Sequence, residues 1–208
     1  MNTQQEANGE KSSALTSQVK ILESQIRDCF GRVVWSHKIQ EKECDLVNER
    51  RKKYQNWQII LSAVSATGLI TVIFGSHLLV SWFGNDWFFK VLVTIVSALQ
   101  LGINIYLRSN DFTKASQQHS ETASKLWEMK ENYLSLLTDI KAQTIDIEGI
   151  MSKRDELQKN LSYIYSSAPR TTIEASKLAT KGLKINNEHT LKDNEIDSFL
   201  PDSLRSNI

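Results

Sequence analysis

The sequence predicts an all-α membrane protein. Its expected architecture is a two-helix transmembrane hairpin with long cytoplasmic helices on both sides, assembled as a homo-oligomer. Three observations predict it. Two apolar runs of about 20 residues follow one another in the middle of the 208-residue chain. The segments on either side carry nearly all of the charge. Only 8 glycines and 2 prolines are present, too few for a turn-rich β sandwich or barrel.

The averages conceal this division. A net charge of +1 and a mean hydropathy of −0.34 describe an ordinary soluble protein. Counted by position, residues 1–56 hold 10 basic and 8 acidic residues, and residues 108–208 hold 14 and 15. Between them, residues 57–107 hold two charges, Asp86 and Lys90. The overall balance excludes a protein that binds nucleic acid through bulk positive charge.

The chain reads in order as follows. Residues 1–13 lack apolar periodicity and are expected to be disordered. Residues 14–56 form an N-terminal cytoplasmic helical segment. Val19, Leu22, Ile26, Cys29 and Val33 recur at three- and four-residue spacing, and Phe30 and Val34 widen the stripe. One helix, or two broken near Gly31, is expected to run to the membrane.

Residues 57–107 form the hairpin, with spans at about 57–77 and 87–107. At 1.5 Å per residue each run crosses a hydrocarbon core of about 30 Å. Only a helix satisfies the backbone of such a run within itself. Trp57, Trp82, Trp87 and Tyr106 lie near the ends, where aromatic rings anchor at the interface. Gly84-Asn85 marks the connecting turn. A buried hairpin in a soluble protein would need a large core around it, and the remaining chain is too polar to supply one. The first run follows 56 polar residues, unlike a secretory signal peptide.

Basic residues orient the hairpin. Arg50, Arg51, Lys52 and Lys53 precede the first span, Arg108 and Lys114 follow the second, and residues 77–86 contain no Lys or Arg. Both termini are therefore expected in the cytoplasm. Lys90 departs from this pattern, but its long stem can snorkel to the outer interface. Cys29 and Cys44 then lie in a reducing compartment as free thiols.

Residues 108–208 form a C-terminal cytoplasmic helical segment. Phe112, Ala115, His119, Thr122, Leu126, Met129, Tyr133, Leu136 and Ile140 keep helical spacing, and the second span is expected to continue into this helix unbroken. Ile147, Ile150, Met151, Leu157, Leu161 and Ile164 form a second stripe. The two would meet as a helical hairpin turning at 142–146. Pro169 ends that helix. Thr171-Thr172-Ile173-Glu174 reads as a capping box opening a helix to about Ile185. A short helix at Asp193–Phe199 ends before Pro201.

No catalytic pattern is present. The phosphate-binding glycine loops, H-E-x-x-H, C-x-x-C and G-x-S-x-G are all missing, and His37, His77, His119 and His189 fall in separate segments. His37 and Cys44 have no second ligand pair at metal-binding spacing. No enzyme activity, cofactor or metal is expected.

The polar residues within the second span are more informative. Ser97, Gln100 and Asn104 share a face, and Thr94, Ala98 and Gly102 form a ladder of small residues. Two readings stay open. The small residues let helices approach while the amides hydrogen-bond across the contact, or Ser97, Gln100 and Asn104 line a watery passage. Two helices cannot enclose a channel, so any pore requires several copies.

Several stretches resemble a known family. They are Arg32-Val-Val-Trp35, then Leu126-Trp127-Glu128-x-x-Glu131-x-Tyr133-Leu-x-Leu-Leu137, and Arg154-Asp155-x-Leu157. Tyr165-x-x-Ala168-Pro169-Arg170-Thr171-Thr172 and Glu195-Ile196-Asp197-x-Phe199-Leu200-Pro201 follow. Across roughly residues 15–205 the chain resembles the SLATT family, bacterial two-helix membrane effectors associated with SMODS nucleotidyltransferases and SLOG sensor domains.

The resemblance implies an effector of anti-phage defence in the bacterial inner membrane. A sensor partner would trigger it: a nucleotidyltransferase or its nucleotide product, a SLOG protein, or a reverse transcriptase. Triggered copies would permeabilise the membrane and stop growth. The alternative is a non-conducting scaffold that docks a soluble signalling partner through its cytoplasmic helices. The resemblance supplies no catalytic residues.

Overall fold

The computed structural model describes residues 2–74, 86–186 and 188. Among them five helices and no strand occur: α1 (Asn2–Phe74), α2 (Asp86–Ser109), α3 (Phe112–Lys141), α4 (Ile147–Ser167) and α5 (Ile173–Lys184). The expected turn at Gly84-Asn85, Trp82 and the helix at Asp193–Phe199 lie outside the described residues.

Three boundaries correct the sequence reading. α1 already begins at Asn2, where disorder was expected. Residues 2–13 contain no proline, and extending an existing helix avoids the cost of nucleating one. Gly31 does not break α1.

The second correction is at Asn110-Asp111, which separates α2 from α3 where a continuous helix was expected. The Asn110 amide donates to the Tyr106 carbonyl at 3.0 Å, and Lys114 N–H donates to the Asp111 carboxylate at 2.9 Å. Short polar side chains here replace helical backbone bonds with local ones. Third, the cap of α5 is Thr172, not Thr171: its hydroxyl accepts from Ala175 N–H at 3.3 Å.

The chain divides into two compact units, Met1–Lys42 with Thr122–Ile208, and Glu43–Glu121. The first unit packs α1, α3 and α4 around one apolar core. Ile26, Cys29 and Val33 come from α1; Leu126, Met129, Tyr133, Leu136 and Ile140 from α3; and Ile150, Leu157, Leu161 and Ile164 from α4. These are the stripes read from the sequence, except that Met151 is exposed. Full burial of each large aliphatic side chain contributes roughly 1.5–3 kcal/mol.

Tyr133 is completely buried, and burial beside the Cys29 thiol pushes its hydroxyl pKa up to about 12. The α3–α4 turn uses Gln143 at φ +56°, and the Asp146 carboxylate caps α4 by accepting from Gly149 N–H at 3.0 Å. A Cβ on Gly149 would lie 2.8 Å from that carboxylate, so glycine permits the cap.

Middle residues of α1 tie the ends of α4 and α5 to this unit. Ser36 and Tyr165 hydroxyls are 3.0 Å apart, and the Gln40 amide donates to the Pro169 carbonyl at 3.3 Å. His37 Nδ1 donates to the Ala123 carbonyl at 2.9 Å. Lys38 meets Glu188 at 2.7 Å and Glu41 at 3.0 Å, while Lys42 meets Glu188 at 3.3 Å. Burial alone lowers the Lys38 pKa, but the hydrogen bonds it donates to Glu188 and Glu41 and their negative charges outweigh it, and the net shift is upward.

Candidate functional site

The second unit contains the polar residues singled out in the apolar runs. α1 and α2 run antiparallel here, and two side-chain bonds join them. The Gln58 amide donates to the Asn104 carbonyl oxygen at 2.8 Å, and the Gln100 amide donates to the Ser62 hydroxyl at 2.8 Å. Gln58 and Ser62 are four residues apart on α1, as Gln100 and Asn104 are on α2. Each bond therefore sits one helical turn from the other. In an apolar environment such bonds contribute about 0.6–2 kcal/mol apiece.

The remaining named residues face elsewhere. Thr94, Ser97, Ala98 and Gly102 are exposed. A Cβ on Gly102 would meet nothing within 4 Å. Gln100 and Asn104 are thus brought together with α1, whereas Ser97 is not on that contact. The ladder Thr94-Ala98-Gly102 forms a separate, outward strip on α2.

Sequence reasoning missed Gln58 as the partner of Asn104. The available signal was its four-residue spacing from Ser62, which matches that of Gln100 and Asn104. Ser65, assigned to another side of the first run, is buried with no hydrogen-bond partner for its hydroxyl among the described residues.

The surface around these contacts is apolar. Ile59, Ile60 and Val64 of α1 and Leu92, Ile95, Leu99, Leu101 and Ile105 of α2 are all exposed. An apolar stretch long enough to cross a membrane lies in the helical segment starting at Val91, and none of it is buried within the chain. A patch of this extent is not left in water by a soluble monomer.

The polar ends of the unit are built differently. Rings of Tyr54, Tyr106 and Phe112 cluster with centroids 4.9–6.1 Å apart. The Arg51 guanidinium donates to the Thr113 hydroxyl at 3.1 Å. Cys44 Sγ and Ser116 Oγ are 3.3 Å apart, and both cysteines are free thiols. His119 and Glu43 are both buried. Burial lowers the His119 pKa, and the Glu43 charge partly counters it.

Among the described residues no group of three or more His, Cys, Asp or Glu side chains is placed to hold a metal ion. Arg50, Arg51, Lys52, Lys53 and Arg108 lie just outside the apolar parts of α1 and α2.

Neither a curated protein nor a solved structure matches the chain. The sequence signature of the SMODS and SLOG-associating 2TM effector domain family 4 matches residues 22–195, which include both apolar runs and all five helices except the start of α1. The chain belongs to this family, the SLATT two-transmembrane effector domains.

Proposed function

We propose that the protein is an inner-membrane effector of a bacterial anti-phage system, whose copies assemble into a pore or otherwise disrupt the membrane when a sensor partner triggers them. Its two apolar runs are the spans, joined as a hairpin with both termini in the cytoplasm. The basic residues Arg50, Arg51, Lys52, Lys53 and Arg108 hold that orientation. The family description, which names SMODS and SLOG association, supports a nucleotidyltransferase or SLOG protein as the sensor. A nucleotide product or a reverse transcriptase would serve the same role.

The observation that carries this reading is the outward strip Thr94-Ala98-Gly102 beside Ser97. Small residues at this spacing let helices of neighbouring copies approach closely, and Ser97 then supplies a hydroxyl to the shared surface. Gln100 and Asn104 hold α1 against α2 within each copy. A pore wall built this way presents Ser97 to the passage, with the Gln100 and Asn104 amides holding α1 against α2 beside it.

The trigger must bind the resting and active arrangements with different affinity. Inducible expression with a membrane-potential dye tests the proposal. Loss of potential on co-expression of a SMODS nucleotidyltransferase or a SLOG protein, and its retention in a Gly102→Leu variant, is the expected result. Full potential in triggered wild-type cells rejects it.

A second reading is a non-conducting scaffold that docks a soluble partner through its charged helices. The intramolecular use of Gln100 and Asn104 favours it, because amides satisfied within one chain are not available to line water. Partner capture without any conductance in planar bilayers selects this reading.

A further inference from the structure

We infer that Arg51 and Arg108 form a phosphate-binding site that takes the headgroup phosphodiester of an anionic phospholipid. The inference rests on the reading of α2 as a membrane span. A cavity of about 300 Å³ opens where α2 ends and α3 begins, against the turn of α1 that carries Arg51. Arg51, Arg108, Gln55 and Gln58 are among the residues that line it.

The Arg51 side chain keeps donor capacity for an anion. Arg51 Nε is buried and has no hydrogen-bond partner among the described residues, while Nη1 of the same side chain donates to the Thr113 hydroxyl at 3.1 Å. A buried unpartnered N–H on a charged group is costly, on the order of 1–3 kcal/mol or more. Neither Arg51 nor Arg108 makes an ion pair among the described residues. Other cations of the chain do have carboxylate partners, among them Arg27 with Glu23, Arg32 with Asp28, Lys153 with Asp139 and Arg154 with Asp155.

Asp111 also lines the cavity; one oxygen of its carboxylate accepts from Lys114 N–H as the cap of α3, and its charge offsets only part of that of the two guanidinium groups. Two guanidinium forks, with the Gln55 side chain beside them, suit a phosphate oxygen pair.

Position favours a lipid over a soluble phosphate. Arg51 lies six residues before Trp57, about 9 Å along the helix, and Arg108 directly follows Leu107. Both therefore sit at headgroup depth. The Tyr54, Tyr106 and Phe112 rings beside them are of the kind that anchor at this boundary. A bound headgroup would tie α1 to the α2–α3 junction.

The test titrates purified full-length protein in neutral detergent with phosphatidylglycerol, phosphatidylcholine and inorganic phosphate, reading bound ligand by native mass spectrometry. Phosphatidylglycerol is expected to bind best. Arg51→Gln with Arg108→Gln should weaken it about tenfold or more. The control pair Lys52→Gln with Lys53→Gln removes the same charge from exposed positions outside the cavity and should weaken it less than about threefold. Arg51→Lys keeps the charge but loses the fork, and should fall between them, which covers a double variant that fails to fold.

Equal losses in the two double variants, or no phosphatidylglycerol binding by wild type, overturn the site. Inorganic phosphate competing as well as the lipid supports the phosphate chemistry and overturns the lipid source. Extraction of wild type from membranes by alkaline carbonate overturns the membrane reading itself. Retention in the membrane without lipid preference overturns only this site.

Discussion

Gln100 donates a side-chain N–H to the Ser62 hydroxyl at 2.8 Å, one turn from the bond between Gln58 and Asn104. These pairs are the polar joint between two otherwise apolar helices. Gln100→Leu and Ser62→Ala should each destabilise the protein in detergent. Their double-mutant cycle should show a coupling of about 0.6–1.7 kcal/mol. Thermal unfolding of the three variants measures it. Simple additivity would show that the bond contributes nothing in the intact fold.

Tyr133 occupies the centre of the first unit with no oxygen or nitrogen partner for its hydroxyl. Tyr133→Phe removes a poorly satisfied polar atom and should be neutral or stabilising by up to about 1 kcal/mol. Tyr133→Ala leaves a cavity and should cost about 3–5 kcal/mol. The hydroxyl has a raised pKa of about 12 in the fold, against 10.0 for the free side chain. Its neutral form is thus favoured by folding. That stability is complete below pH 10 and is lost as pH rises toward 12. Alkaline melts should show a shallower fall for Tyr133→Phe than for wild type.

Much of the first unit was legible from the sequence because its code is periodic. Ile26, Cys29 and Val33, then Leu126 to Ile140, then Ile150 to Ile164, recur at helical spacing and bury the same face. Met151 was misplaced because Arg154, with a long apolar stem, continues the stripe one turn later. The break at Asn110-Asp111 was missed because no Gly or Pro marks it, and side-chain capping is a weaker signal than either. The polar pairs of the second unit were half legible. Composition named Gln100 and Asn104, but whether an amide faces a sister helix, a second copy or water depends on packing that spacing alone does not give.

Glu188 links the residues following α5 to α1. Its carboxylate meets Lys38 and Lys42, and the Lys38 ammonium holds its pKa down to about 2. A Cβ on Gly182 would come within 2.8 Å of the same carboxylate. Glu188→Gln and Gly182→Ala should both loosen this link and speed limited proteolysis after α5 without unfolding the core. The depressed pKa means the contact is fully formed above about pH 4.5, and it is lost as pH falls toward 2. Equal cleavage rates for wild type and Glu188→Gln count against a link through the carboxylate.

His119 is buried with Glu43 in the second unit, and burial lowers its pKa from 6.5. Folding therefore favours the neutral ring. The stability it contributes is present above pH 6.5 and declines as pH drops through the folded-state value. His119→Gln should flatten the acid side of the stability profile, while Glu43→Gln should steepen it by removing the charge that helps the ring accept a proton. Melting temperatures measured between pH 5 and 8 distinguish these outcomes. A profile unchanged in both variants would show that neither group governs it.

Gly102 separates the two proposed uses of the membrane helices. A side chain at this position meets nothing within 4 Å in one copy, so Gly102→Ala should leave the fold intact. Helix propensity alone makes that change favourable by up to about 1 kcal/mol. Gly102→Leu should likewise be tolerated by an isolated chain. If copies meet along Thr94, Ala98 and Gly102, the leucine holds their backbones apart. The expected result is an intact Gly102→Leu protein that runs as a smaller species in detergent and no longer collapses the membrane potential. Ser97→Leu, on the adjoining strip, should block ion passage if that hydroxyl faces the water path. A Gly102→Leu protein with unchanged oligomer size would place the contact between copies on another face of α2 or on α1.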